Sequence, residues 1–138
     1  MDISDFRARN DSRVPEAIEK LAYAVIGAAI EVHRELGTGL SEQHYKIAMS
    51  RELKLRAIPH EIEVEVDVIY KGEKIGKGYI DLLVDRVLIV ELKTVEVLTP
   101  LHKSQALTYL KLKKLPLALL INFNTVILSD GIKRVINT

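Results

Sequence analysis

Cysteine is absent from the 138 residues, which excludes disulfide staples and thiolate metal sites and makes a reducing cytosol the natural setting. Tryptophan is absent as well, and aromatic residues make up only 5%, so a stacking platform for unpaired bases has no support. No apolar run approaches the roughly 18 residues of a membrane span. The opening Met1-Asp-Ile-Ser-Asp-Phe-Arg is too polar for a signal peptide, and the expected location is cytoplasmic. Internal repeats and low-complexity segments are missing too.

What is present is a 48% apolar content, enough for one domain with its own core over residues 1–138, residues 1–13 forming a loose polar arm. The formal net charge of +1 conceals a split. Residues 1–70 carry nine Lys/Arg against thirteen Asp/Glu, and residues 71–138 carry eleven against six. The basic second half suits an anionic partner, although the near-neutral whole excludes a general DNA-coating protein.

Periodicity predicts the elements. Apolar steps of three and four (Ile18, Leu21, Ala22, Val25, Ile26, Ala29, Ile30, His33, Leu36) predict a helix over 14–36, with His33 a hydrogen-bonded core histidine. Gly37-Thr38-Gly39 ends it, and a second helix over 40–56 follows, its stripe being Tyr45, Ala48, Met49 and Leu53. Glu42 shares the side of Tyr45; it either faces the protein body or simply complements the helix N-terminus. Alternation predicts a strand over 61–70, with Glu61, Glu63, Glu65 and Asp67 on a solvated face. A hairpin loop at Gly72-Glu73 leads to a strand over 75–84, which sets Asp81 opposite Val64. A buried strand follows over 87–94, then a helix from the Thr99-Pro100 start to Lys113, packing through Leu101, Ala106, Leu107 and Leu110. Strands at 117–121, 126–128 and 133–136 complete the chain. The crossover through the third helix makes the 117–121 strand parallel to the 87–94 strand, giving a mixed sheet with helices on both faces.

The organising stretch is Val87-Leu-Ile-Val-Glu-Leu-Lys-Thr94. Glu91 and Lys93, two apart, share one strand face, and Asp81 lies ten residues before Glu91 in the preceding apolar run. Two carboxylates and a lysine are what a site for one hard divalent cation and one phosphate requires. A two-residue turn at Asp85-Arg86 would pair Asp81 with Val90 and split the acids between faces, so their convergence demands an odd turn or a bulge; a bulge is expected. The competing account is a cross-strand salt bridge worth at most about 1 kcal/mol, a poor return for three ionisable groups on apolar strands. Lys71, Lys74 and Lys77 suggest a basic edge beside the cleft.

With these residues in place, the chain resembles the GxxExxY proteins of the PD-(D/E)xK nuclease superfamily over nearly all of residues 18–135. The matching stretches are Gly39-Leu-Ser-Glu42-Gln-His-Tyr45, Asp81-Leu-Leu-Val, Val90-Glu91-Leu-Lys93, Gln105-Ala-Leu-Thr-Tyr109-Leu, Ile121-Asn-Phe and Gly131-Ile-Lys-Arg, in that order. Thr38 stands where the family has proline, and Ile80 where the superfamily's name has one. The resemblance implies a restriction-endonuclease-like α/β fold, a three-layer α-β-α with core order α-β-β-β-α-β. It implies Glu42, Asp81 and Glu91 around Mg²⁺ (or Mn²⁺), Lys93 at the attacking water or the phosphate, and Gln105 and Tyr109 lining the site. The Leu92 main-chain carbonyl would complete the metal's oxygen shell. The expected activity is metal-dependent hydrolysis of phosphodiester bonds, with DNA the favoured partner and a homodimer allowed. A catalytically silent nucleic-acid-binding or partner-binding module on the same fold is the alternative.

Overall fold

The computed structural model describes residues 11–138. The expected arm therefore lies almost wholly outside the described residues. Helix α1 (Glu16–Leu36) and helix α2 (Glu42–Leu55) precede strands β1 (His60–Tyr70), β2 (Glu73–Val84) and β3 (Leu88–Lys93). Helix α3 (Pro100–Lys113), strand β4 (Leu117–Asn122), a short 3₁₀ turn (Leu128–Gly131) and strand β5 (Ile132–Ile136) follow. The five strands form one sheet in the order β1-β2-β3-β4-β5. All neighbours are antiparallel except β3 and β4, which run parallel across the α3 crossover.

The central strands are apolar on both faces because both faces are covered. Leu88, Val90 and Leu92 of β3 and Leu117, Leu119 and Ile121 of β4 join the core under α1 and α2. Ile89, Ala118 and Leu120 join a second core under α3, with Ala106 and Leu110. This alternation assigns Glu91 and Lys93 to the α3 face. The restriction-endonuclease-like α/β architecture expected from the sequence is the one observed.

Local chemistry explains the ends of the helices. Ser41 and Thr99 accept from the backbone N–H of His44 and His102, whose rings take the N–H of Ser41 and Thr99 in return. Imidazole here replaces the usual Glu or Gln of a capping box. Gly37 and Gly39 adopt positive φ, and the Tyr45 hydroxyl donates to the Gly37 carbonyl at 2.6 Å. Tyr45 also stacks on Phe123, centroids 4.4 Å apart, which joins α2 to the end of β4. His33 is half-buried with Nε2 2.8 Å from the Thr125 carbonyl, as a core histidine should be.

Several expectations are corrected. The first hairpin turns at Lys71-Gly72, not Gly72-Glu73, and a register shift between Val68 and Ile69 adds a further offset. Ile62 pairs with Leu82 and Val64 with Ile80, so Glu63, not Val64, stands opposite Asp81. Glu63 has φ +52°, and at this point β2 changes face: Ile80 enters the α3 core whereas Leu82 enters the other. The turn between β2 and β3 has three residues, 85–87, closed by the Val87 N–H on the Val84 carbonyl at 3.0 Å. It is the odd turn the geometry demanded, and no bulge interrupts the β2–β3 pairing. The expected strand at 126–128 is absent; Leu128 begins the 3₁₀ turn and Val126 is exposed, and an apolar triplet that pairs with no other strand does not hold a strand. Leu101 is 76% exposed and does not pack; the sheet-facing residues of α3 are Ala106 and Leu110.

Candidate metal and phosphate site

Strand β3 ends its pairing with β2 at Val90, opposite Leu82. Continued by one step, that register sets Asp81 against Glu91. The Leu92 N–H then has no main-chain partner on β2, and Asp81 Oδ2 accepts it at 2.8 Å. A strand residue turns its N–H and C=O to the same edge, so the Leu92 carbonyl faces Asp81 as well.

Glu91 is 6% exposed, and its Oε1 is buried without a hydrogen-bond partner. Burial, then the charge of Asp81 and hydrogen bonding between the two carboxyls, pushes its pKa up to about 9, against the opposing pull of Lys93. A buried, orphaned carboxyl oxygen beside a second carboxylate is costly to ionise unless something cationic is held there. The pair therefore fits a hard divalent ion that takes oxygen ligands. Lys93, half-buried two residues on, leaves the strand on the same face.

The other expected residues are placed less closely. Glu42 is exposed in the first turn of α2, and among the described residues no three His, Asp or Glu side chains stand together as a ready metal cluster. Tyr109 lies half-buried on α3, and a Cβ built on Gly78 of β2 would meet its hydroxyl at 2.5 Å. That glycine lets the Tyr109 ring lie on the strand three residues before Asp81. Gln105, one helical turn earlier, is exposed. Two of the three lysines expected at the edge of the cleft are compensated: Lys74 pairs with Asp67 at 3.0 Å and Glu65 at 3.8 Å, and Lys77 with Glu65 at 3.6 Å, whereas Lys71 lies over the Tyr70 ring.

Three residues to which the sequence assigned no role at the site stand beside it. Lys46, one turn after Glu42, sets Nζ 3.1 Å from Glu63 Oε1 and 3.8 Å from Asp81 Oδ1. Its i+4 spacing from Glu42 was the available signal. Glu63 looked like one of four equivalent solvated acids, and only its position opposite Asp81 sets it apart. Asn122, 2% exposed and paired with Lys93, accepts the N–H of Val95 at 3.1 Å and of Asn124 at 3.2 Å, and donates to the Val95 carbonyl at 2.8 Å. It pins the chain just after Lys93 and so fixes where that lysine emerges.

Residues 19–135 match the sequence pattern of the PD-(D/E)XK nuclease superfamily. Among solved structures, the chain resembles the crystal structure of SSO0001, with a TM-score of 0.52 and 20% identity, covering 88% of this chain and 59% of that one. This chain thus spans about three fifths of that protein, and at such identity the likeness concerns the fold alone. No curated protein sequence matches it at a comparable level of significance.

Proposed function

Because the chain belongs to the PD-(D/E)XK nuclease superfamily, we propose that it is a metal-dependent phosphodiester hydrolase acting on DNA, in the cytosolic compartment its lack of cysteine suits. The spacing Gly39-x-x-Glu42-x-x-Tyr45 supports a place among the GxxExxY proteins within that superfamily. The observation that carries the chemistry is the buried Glu91 carboxyl, one oxygen unpartnered, set against Asp81 with Lys93 two residues on. Asp81, Glu91 and the Leu92 carbonyl would hold Mg²⁺ or Mn²⁺, and Glu42 would join them from α2 through the exposed side of the site. When bound, the ion supplies Lewis acidity to the phosphate and acidity to a water.

The rest belongs to the chain. Asp81, fixed by the Leu92 N–H, keeps its carboxylate in one orientation. Lys93, its exit set by Asn122, is placed to meet the scissile phosphate or orient the attacking water, where it offsets the negative charge that grows on the phosphoryl oxygens. Tyr109 and Gln105 form the α3 wall. The basic charge excess of residues 71–138 favours contact with the phosphate backbone over reading of bases.

The test is incubation of the protein with linear, nicked and branched DNA in Mg²⁺ or Mn²⁺, beside Lys93→Ala and Glu91→Ala. The expected result is cutting that needs the metal and falls on the order of 10²-fold or more in each variant. Salt-sensitive binding with no cutting would instead identify a silent DNA-binding module on the same fold.

A further inference from the structure

Asp81 has two carboxylate oxygens with different neighbours. Oδ2 is committed to the Leu92 N–H at 2.8 Å. Oδ1 is therefore the oxygen left for a metal, and it is the one that Lys46 faces, with Nζ at 3.8 Å. The Lys46 side chain is only 13% exposed, so its ammonium is drawn in beside the acids and not left free in water. Its nearer partner is Glu63 Oε1 at 3.1 Å, a carboxylate about half exposed on the adjoining strand. An ammonium is a compact, strongly hydrated point charge with three donors. Among carboxylate oxygens it supplies part of the compensation that a divalent ion supplies in full.

We propose that Lys46 is the resident cation of the metal-free site, and that a divalent ion binds by taking over its longer contact with Asp81 Oδ1, leaving the ammonium to Glu63. This rests on the metal-site reading given above and adds to it a positioning residue that the reading does not contain. Glu63, opposite Asp81 on the adjoining strand, is the partner that keeps the ammonium once the Asp81 contact is lost. An exchange of this kind keeps the acids compensated in both states.

The experiment measures Mn²⁺ binding by calorimetry to the full chain as wild type, Lys46→Met, Lys46→Arg and Asp81→Asn, each first shown folded by its melting curve. Removing one positive charge about 4 Å from a ligand oxygen should tighten Mn²⁺ binding by roughly tenfold or more in Lys46→Met. Lys46→Arg should restore the wild-type affinity, and Asp81→Asn should abolish binding. A second measurement needs no variant: acylation of the Lys46 amine, followed by peptide mass, should speed up severalfold when saturating Mg²⁺ is added to the wild type. Equal or weaker Mn²⁺ binding by Lys46→Met, with wild-type binding that depends on Asp81, would overturn the inference and leave the metal site standing. Labelling that is unchanged or slowed by Mg²⁺ would overturn it too. Absence of Mn²⁺ binding by both wild type and Lys46→Met would bring down the inference together with the metal-site reading.

Discussion

Glu91 connects burial to chemistry through a single proton. With its pKa raised from 4.5 to about 9, the folded protein holds a proton there that the unfolded chain has already lost over that range. The folded state binds more protons, so this group's contribution is complete below 4.5 and is lost as pH rises towards about 9. Denaturant unfolding of the protein in EDTA should accordingly show stability falling as pH rises across that interval. Glu91→Gln, which resembles the protonated acid, should remove the slope and exceed the wild type in stability at alkaline pH. Divalent metal should act in the opposite sense, its apparent affinity rising with pH because the proton must leave first. Asp81, Glu91 and Lys93 were all legible in the sequence, since ionisable residues interrupting apolar strands are conspicuous. Lys46 and Glu63 were not, because a half-buried lysine on a helix and one acid among four on a strand look like ordinary surface until their partners are known.

Among the elements, the strands and helices followed their periodicities, whereas the joints did not. The reason is concrete: Ala57, Lys71, Asp85, Arg86 and Lys114 in the joints, and Glu63 within β1, take positive φ although none is glycine. Such a backbone carries no mark in sequence, because the usual sign of a left-handed residue is glycine itself. The turn at 85–87 has two of them in succession, Asp85 at +49° and Arg86 at +62°. Both side chains are exposed, so replacement by glycine removes strain without removing buried packing. Arg86→Gly should raise stability by about 0.5–1 kcal/mol in urea titration, since left-handed backbone costs an ordinary residue about 1–2 kcal/mol and glycine repays part of that as unfolded-state entropy. An unchanged or lowered midpoint would show that the Arg86 side chain contributes to the turn. The missing strand at 126–128 teaches the same lesson from the other side. Apolar β-branched residues there pair with no strand, and Val126 and Ile127 remain exposed next to the 3₁₀ turn.

Across the whole molecule, a buried ion pair ties the beginning of the described chain to its end. Glu19 of α1 is almost wholly buried, and Arg134 of β5 reaches its two oxygens at 2.8 and 2.9 Å. The Asp11 N–H also donates to Glu19 Oε2, at 2.7 Å, which fastens the entry to α1 at the same point. Arg134→Met should cost roughly 3–5 kcal/mol in unfolding, because it strands a carboxylate away from water, while the double change Glu19→Met with Arg134→Met should recover most of the loss. A double variant no more stable than the single would locate the effect in packing and not in charge. Sequence separation made this pair illegible: the partners are 115 residues apart, and α1 reads as an amphipathic helix whether or not Glu19 is satisfied. The mixed sheet itself was readable, because a crossover helix between two apolar strands leaves few topologies open.

The turn of three residues at 85–87 carries a consequence for how such a chain can change over time. Strand faces have a period of two, so parity governs the joint. Gaining or losing one residue there would rotate Asp81 to the opposite side of the sheet from Glu91, whatever the two side chains are. Gaining two would leave them together. Length variation at this joint should therefore come in even steps wherever the two carboxyls are kept together, and a single-residue slip would part them while every ionisable residue remained.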